Sequence, residues 1–166
     1  AKVRLDAKIG PMPVGLFKTL WPSWIAPGTR SWIAAHLRSG HVHGGTFKVV
    51  QGYDSGGSDH AEGDRVSLAL EGSNLEFGIV EGWPGLQVSR GLLRLDRNSV
   101  EFAVPEASMS AGDGHKLALK GAFSVDLRQP LPRRARVAVR GEGALPLALQ
   151  LLDQDAHRAL QSSGLA

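Results

Sequence analysis

The sequence predicts a mainly β fold, in which a curved antiparallel meander sheet carries a helical segment near its N-terminus and a helix at its C-terminus. Between residues 41 and 143, apolar residues recur at every second position, which is the period of a strand. Gly, Asn and Pro interrupt this alternation at short intervals, as hairpin turns do. The intervening positions are polar or small. This pattern is typical of an antiparallel sheet covered on one face only, and it predicts a half-pipe or groove.

Composition and length predict a single folded domain over residues 1–166. Hydrophobic residues make up 42% of the chain and charged residues 21%, which are ordinary values for a globular protein. The absence of cysteine excludes disulfides, thiolate metal sites and cysteine nucleophiles. The net charge of +3 is scattered, and only Arg133, Arg134 and Arg136 cluster. We interpret this cluster as a solvated turn and expect no nucleic-acid partner.

The chain is expected to be a segment of a longer protein. It begins at Ala1, it has no signal-peptide pattern, and no apolar stretch reaches the ~18 residues that a membrane span needs. Targeting and anchoring signals are therefore expected outside it.

The N-terminal part is predicted to contain one strand and two helices. Residues 1–14 read as a strand and linker, with Gly10 ending the strand. Residues 15–40 read as a helical segment, with helices around 15–20 and 28–38 that are separated by Pro22 and Pro27. Gly40 is the expected helix stop.

The antiparallel meander is predicted over residues 41–143. Its candidate strands include two separate ones around 66–70 and 75–79, and a phase change at Gly91 predicts a bulge or a tight turn. Residues 144–166 return to helical spacing and predict a C-terminal helical segment. The residues expected to line the apolar side are Val66, Leu68, Leu70, Leu75, Phe77, Ile79, Val100, Phe102, Val104, Leu117, Leu119, Phe123 and Val125.

Several motifs resemble those of one bacterial family. Residues 16–40 contain Trp-Pro at 21–22, Ala-Pro at 26–27 and an Arg-x-Trp pair before Gly40, and this segment resembles the middle of AsmA-like, YhdP-type proteins. The stretches GLLRL at 91–95, KLALKGAF at 116–123 and LQLLD at 149–153 resemble the same family more loosely.

The resemblance implies a central segment of a bridge-like lipid transport protein. Such a protein is periplasmic and anchored in the inner membrane, and its repeating sheets form a groove for phospholipid movement toward the outer membrane. The implied partners are lipid acyl chains and neighbouring segments of the same longer protein, with membrane association through parts absent from this chain. The family implies no cofactor, no metal and no catalytic residue.

Catalytic and metal-binding alternatives have weak support in the sequence. Asp54-Ser55-Gly56-Gly57 resembles the nucleophile loop of chymotrypsin-like proteases, but His36, His41 and His43 lie too close to Ser55 in the chain for that fold. His41 and His43 could bind a metal together with Asp59 or His60, but no third ligand lies at a spacing that is diagnostic of a metal site. The acids at 54, 59, 62 and 64 do not follow the order of a calcium-binding EF-hand loop.

Three tryptophans, Trp21, Trp24 and Trp32, fall in the helical segment. We interpret them as part of a cap on the sheet, and alternatively as side chains that face lipid headgroups or an adjoining segment. Three functions therefore remain: a lipid groove, a structural or protein-interaction β-domain of an envelope assembly, and a hydrolase. The hydrolase function lacks a credible set of catalytic residues, and the family resemblance favours the lipid groove.

Overall fold

One open antiparallel sheet dominates the fold. The computed structural model describes residues 2–52, 65–79, 81, 83–110, 114–130, 134–144 and 149. The sheet has eight strands in the order β1-β3-β4-β5-β6-β7-β8, with the short β2 also paired to β3, and it does not close. The prediction of a mainly β, curved meander is thus confirmed. The elements are β1 Lys2–Ile9, β2 Met12–Pro13, α1 Val14–Leu20, α2 Pro27–His36, β3 Leu37–Gly52, β4 Arg65–Phe77, β5 Leu86–Leu95, β6 Ser99–Ser110, β7 Lys116–Asp126 and β8 Ala135–Gly143.

The register gives the sheet one apolar face and one polar face. Side chains of directly paired residues project to the same side, so each face can be followed across the strands. One row of the apolar face runs through Ile9, Gly45, Leu70, Leu93, Phe102, Phe123 and Val137. The adjacent row, on the polar face, runs through Lys8, Thr46, Ala69, Arg94, Glu101, Ser124 and Arg136.

The prediction of two strands around 66–70 and 75–79 is wrong, because β4 continues through both. Asn74 adopts a left-handed conformation with φ 49, which Asn tolerates better than most residues. The strand therefore kinks instead of turning back. Leu70 and Leu75, which are five positions apart, consequently lie on the same apolar face and are both buried.

The neighbouring strands change phase along the same line. The phase change at Gly91 is a bulge within β5, since the pairing with β6 shifts between Val88 and Leu92. A second shift lies between Val104 and Ala107 in β6. Together with Asn74, these irregular positions form a line across β4, β5 and β6 that we call the crease. Bulges bend the strands that contain them and increase their twist, which curves the sheet.

Helix α2 ends earlier than expected. It stops at His36, and β3 begins at Leu37, which pairs with Phe77. The backbone nitrogen of Gly78 also donates to the His36 oxygen at 2.8 Å. Gly40 is thus a strand residue and not a helix stop. Its φ of +134 and the approach of a built Cβ to within 2.9 Å of the Asn74 oxygen explain the glycine.

The core lies between the apolar face and the two helices. Val14, Phe17, Trp21, Ile25 and Ile33 are buried and belong to the same apolar cluster as the buried residues of the sheet. Of the predicted C-terminal helical segment, only residues 144 and 149 are among those that the structure describes. Residues 53–64, which contain the Asp54-Ser55-Gly56-Gly57 motif, also lie outside the described residues.

Candidate functional site

The residues predicted to line a groove lie on the apolar face. Strand β4 carries five of them, from Val66 to Phe77, while β6 and β7 carry all the others except Ile79. Ile79 follows the end of β4 and packs against the core cluster. The register therefore brings together side chains that are far apart in the sequence.

The prediction missed further residues on the same face. Val88, Leu93 and Leu95 of β5 are buried there, and the pairing of β8 with β7 adds Val137 and Val139. Alternation marks all of them in the sequence. The bulge in β5 hides the continuity of that strand, because it reverses the parity of the apolar positions.

Helices α1 and α2 with their connecting turn, which we call the cap, cover the middle of the apolar face. The Trp21 indole nitrogen donates to the Ile25 oxygen at 2.8 Å, and Arg30 Nε donates to the Trp21 oxygen at 3.1 Å. The Lys18 ammonium donates to the Leu37 oxygen at the start of β3. These bonds satisfy polar groups of the cap while its apolar side chains pack on the sheet.

Trp24 differs from the other two tryptophans of the cap. It lies in the turn between the helices and is 64% exposed, whereas Trp21 is buried and Trp32 is half-buried. The turn places Trp21 and Ile25 toward the sheet, and this geometry leaves Trp24 on the outside. The expectation that all three pack as a cap is therefore wrong for Trp24.

Trp32 is the centre of an aromatic cluster. Its ring centroid lies 6.0 Å from those of Phe77 and Phe123, and 4.8 Å from that of His36. Phe77 and Phe123 belong to β4 and β7, which a flat sheet would separate by about 14 Å. Their rings are no more than about 12 Å apart, because each touches Trp32. The side chains thus converge, as expected on a concave face.

Gly91 of the sheet lies beneath this cluster. A Cβ built at Gly91 would lie 3.0 Å from the Phe102 ring and from Leu75 Cδ1. A cavity of about 70 Å³ that is lined mainly by apolar residues lies beside it, between the cap and the sheet. The indole nitrogen of Trp32 is buried without a hydrogen-bond partner among the described residues. Such an unpaired group costs about 1–3 kcal/mol.

The apolar face remains open at both sides of the cap. On one side Val137 and Val139 of β8 are 50% and 63% exposed, and on the other Val3 and Leu5 of β1 are exposed. A second cavity of about 340 Å³ lies between the cap and strands β1 and β3. It is lined by Ile9, Phe17, Leu20, Trp21, Ile25 and Phe47, among others. This volume lies in the range of ligand pockets.

Within the sheet, the described charged side chains lie on the polar face, and others lie in the turns and on the two helices. Glu71 and Glu76 pair with Arg90 and Arg38 at 2.8 and 3.8 Å. Hydrogen bonds from the side chain and backbone of Arg128 lower the pKa of Asp126 to about 2. Among the described residues no polar or charged residue is buried. The apolar face therefore offers apolar contact and little else.

The described histidines do not converge on a metal site. His41 and His43 flank the buried Val42 and point to the polar side, where His43 Nε2 lies 2.6 Å from Ser73 Oγ. No group of three or more possible ligands occurs in the described ranges. The Asp54–Gly57 motif, Asp59, His60, Glu62 and Asp64 lie outside the described residues. Burial lowers the pKa of His36.

Comparison with protein families, curated proteins and solved structures finds no match to this chain. No helix among the described residues is long and apolar enough to cross a membrane.

Proposed function

We propose that this chain is a segment of an AsmA-like, YhdP-type envelope protein whose apolar sheet face binds phospholipid acyl chains. In this proposal the longer protein lies in the periplasm and is anchored in the inner membrane. The segment acts in phospholipid transport or outer-membrane homeostasis without catalysing a reaction. The family resemblance of residues 16–40 and the open, one-faced sheet support this proposal.

The extent of the apolar face carries the proposal. Apolar rows cross the sheet from β1 to β8, whereas the cap buries only the middle of these rows. Burying apolar surface is favourable by about 25 cal/mol per Å², whether the covering atoms belong to a side chain or to a lipid. Val137 and Val139 stand next to each other on this face with half or more of their surface exposed. Acyl chains fit such a surface, since they need no polar partner.

A structural or protein-interaction role is the second candidate, and the edges of the sheet favour it. Strands β1 and β8 are the two ends of the strand order, and within the part of the chain that the structure describes no further strand pairs with either. Free edges readily pair with another strand. In this alternative a neighbouring segment, and not a lipid, would cover the exposed part of the face.

Lipid extraction from the purified chain tests the proposal. Mass spectrometry of the extract is expected to find phospholipid, and the chain is expected to take up a fluorescent phospholipid. Val139→Glu places a charge on the apolar face, and Ala138→Glu places the same charge on the polar face of the same strand. The first variant should reduce uptake and the second should not, with both remaining folded.

Two results would contradict the proposal. One is an extract without lipid together with no uptake by the wild-type chain. The other is equal uptake by both variants and the wild type. If Val139→Glu instead unfolds the chain, protein atoms cover β8, and the structural role is favoured.

A further inference from the structure

A further cavity lies at the end of the sheet where β4 begins and where β5 turns into β6. Its volume is about 620 Å³, which lies in the range of ligand pockets. The Leu127 nitrogen, just after β7, donates to the Asn98 oxygen of that turn at 2.7 Å and so holds the end of β7 against it. We call this cavity the end pocket, and its lining residues are Arg65, Val66, Ser67, Asp96, Arg97, Asn98, Leu127 and Arg128.

Cations predominate among the charged groups of the end pocket. Three of its lining residues are arginines and one is an acid. Arg65 forms no ion pair within the part of the chain that the structure describes. Lys48 pairs with Ser67 across β3 and β4, so both project to the same side of the sheet. The end pocket is therefore a region of positive potential.

Two acids near the end pocket are held by hydrogen bonds within their own turns. Asp96 Oδ1 accepts from two backbone nitrogens of its turn, at 2.7 and 2.8 Å. Asp126 accepts two hydrogen bonds from the Arg128 guanidinium, each 2.9 Å long. These bonds and one from the Arg128 backbone, with the nearby charge of Arg136, lower the pKa of Asp126 to about 2. A guanidinium has five N–H donors, so Arg128 keeps three for a ligand.

The end pocket also offers neutral donors and apolar surface. The Ser67 hydroxyl and the Asn98 amide add O–H and N–H donors to those of the arginines. Val66 and Leu127 line the end pocket and also pack against the core cluster. A ligand in this position would meet hydrogen-bond donors and the end of the apolar face together.

We propose that the end pocket binds a phosphate group. Phosphate oxygens accept hydrogen bonds and carry negative charge, and the planar fork of a guanidinium matches them with two parallel N–H donors. A phospholipid headgroup and a free phosphate both supply this group. The lipid source rests on the proposed function, whereas the phosphate site itself does not. Val66 and Leu127 favour the lipid, because they give apolar contact to the part of the ligand next to the phosphate.

NMR titration of the wild-type chain with inorganic phosphate tests the site. The signals of the Arg65 side chain and of the Ser67 and Asn98 backbone are expected to shift and to saturate. Sodium chloride at the same ionic strength should not shift them in this way, because chloride cannot accept a pair of parallel hydrogen bonds. Absence of a saturable shift with phosphate would overturn the proposal.

A pair of double variants locates the site. Arg65→Gln with Arg97→Gln is expected to weaken phosphate binding by about fivefold or more, because one exposed charged contact contributes up to about a fivefold factor. The matched control, Arg90→Gln with Arg140→Gln, removes the same charge from strands outside the end pocket and should retain binding. Equal losses in the two double variants would indicate general charge attraction and overturn the proposal.

A single variant guards against a disturbed turn in the double variant. Arg65→Gln leaves the turn from β5 to β6 unchanged, and it should weaken phosphate binding by about twofold or more with an unchanged circular dichroism spectrum. Wild-type affinity in this variant would overturn the assignment of Arg65 to the site.

A short-chain lipid distinguishes the two sources of phosphate. Dihexanoyl phosphatidic acid, below the concentration at which it forms micelles, is expected to bind at least about tenfold more tightly than glycerol 3-phosphate, since its acyl chains bury apolar surface. Equal affinity for the two would support the phosphate site with a free phosphate as its ligand, and it would count against lipid binding. Tight binding of the lipid that persists in the Arg65 and Arg97 double variant would overturn the proposal and leave the proposed function intact.

Discussion

At the scale of the residue, Trp32 connects the cap to distant strands. Its ring lies between Phe77 of β4 and Phe123 of β7, and Gly91 leaves room for the cluster beneath it. No other aromatic residue of the cap contacts rings on two strands of the sheet among the described residues. Trp24, by contrast, contributes exposed surface alone.

Trp32→Ala is therefore expected to lower the free energy of unfolding by about 3 kcal/mol, because truncation of a large aromatic residue in a packed cluster costs that much. Trp24→Ala is the matched control and should change it by no more than about 0.5 kcal/mol. Urea denaturation measures both values. Equal losses in the two variants would contradict the assignment of Trp32 to the cluster and of Trp24 to the surface.

His36 is expected to make the free energy of unfolding depend on pH. Burial against Trp32 lowers its pKa from the ordinary 6.5, so the unfolded chain binds a proton more readily than the folded one. The free energy of unfolding should consequently fall as the pH drops from about 7 to about 5. The carboxylate of Asp126, with a pKa of about 2, titrates below this range.

The variant His36→Gln isolates this contribution. Its free energy of unfolding should change less between these two pH values than that of the wild-type chain, as thermal or urea denaturation at each pH would measure. An unchanged pH dependence in the variant would rule out His36 as the source.

The sequence identifies the apolar residues correctly but does not reveal their exposure within the cap. Trp21 and Trp24 are both next to a proline or a serine and lie in one short stretch. Which of them is buried depends on the turn from Pro22 to Ala26, and this turn is fixed by packing against the sheet. Local sequence therefore cannot separate the two tryptophans.

At the scale of the element, the crease explains how long strands bend without ending. Asn74 kinks β4, and bulges in β5 and β6 continue the line, so rings on the two sides of it approach each other. Phe77 and Phe102 lie on opposite sides of the crease, and their centroids are 5.5 Å apart.

Asn74 offers a direct test of the crease. Asn74→Val should lower the free energy of unfolding by about 1–2 kcal/mol, because a β-branched residue fits a positive φ poorly. Asn74→Gly should be nearly neutral, since glycine adopts this conformation freely. Denaturation midpoints of the two variants measure this difference in the free energy of unfolding. If the valine variant is the more stable one, Asn74 does not hold the left-handed conformation.

The sequence predicts where the strands lie better than it predicts where they end. The alternation over 65–77 is interrupted at Ser73 and Asn74, which is also the signal for a turn. The same residue types occur in turns and in kinked strands. Whether the chain turns or kinks here is decided by the pairing of β4 with the strands on both sides of it. Strand β3 likewise starts at Leu37 and not at the expected position 41. Pairing of Leu37 with Phe77 replaces the last turn of the predicted helix.

At the scale of the whole molecule, the apolar face divides into a part that protein covers and a part that it leaves open. Phe77 is buried beneath the cap, whereas Val139 lies at the open side on β8. Sequence alternation predicts the face but not this division, because the reach of the cap depends on tertiary packing. The proposed lipid-binding part is the open one.

Charge substitution should distinguish the two parts. Phe77→Glu is expected to lower the free energy of unfolding by about 3 kcal/mol or more, because it buries an unpaired carboxylate. Val139→Glu should change it by less than about 1 kcal/mol, because solvent reaches that position. Urea titrations of both variants measure these values. Similar large losses at both positions would indicate that the whole face is closed.

Photo-crosslinking tests whether acyl chains bind the open part of the apolar face. A phospholipid with a photoreactive group in its acyl chain is incubated with the chain and irradiated, and the modified residues are then mapped by peptide mass spectrometry. We expect modification of apolar-face residues in β7 and β8, such as Leu119, Val137 and Val139, and we expect unlabelled phospholipid to compete with it. Absence of competed modification, or modification of polar-face residues such as Ala138 to the same extent, would contradict this expectation.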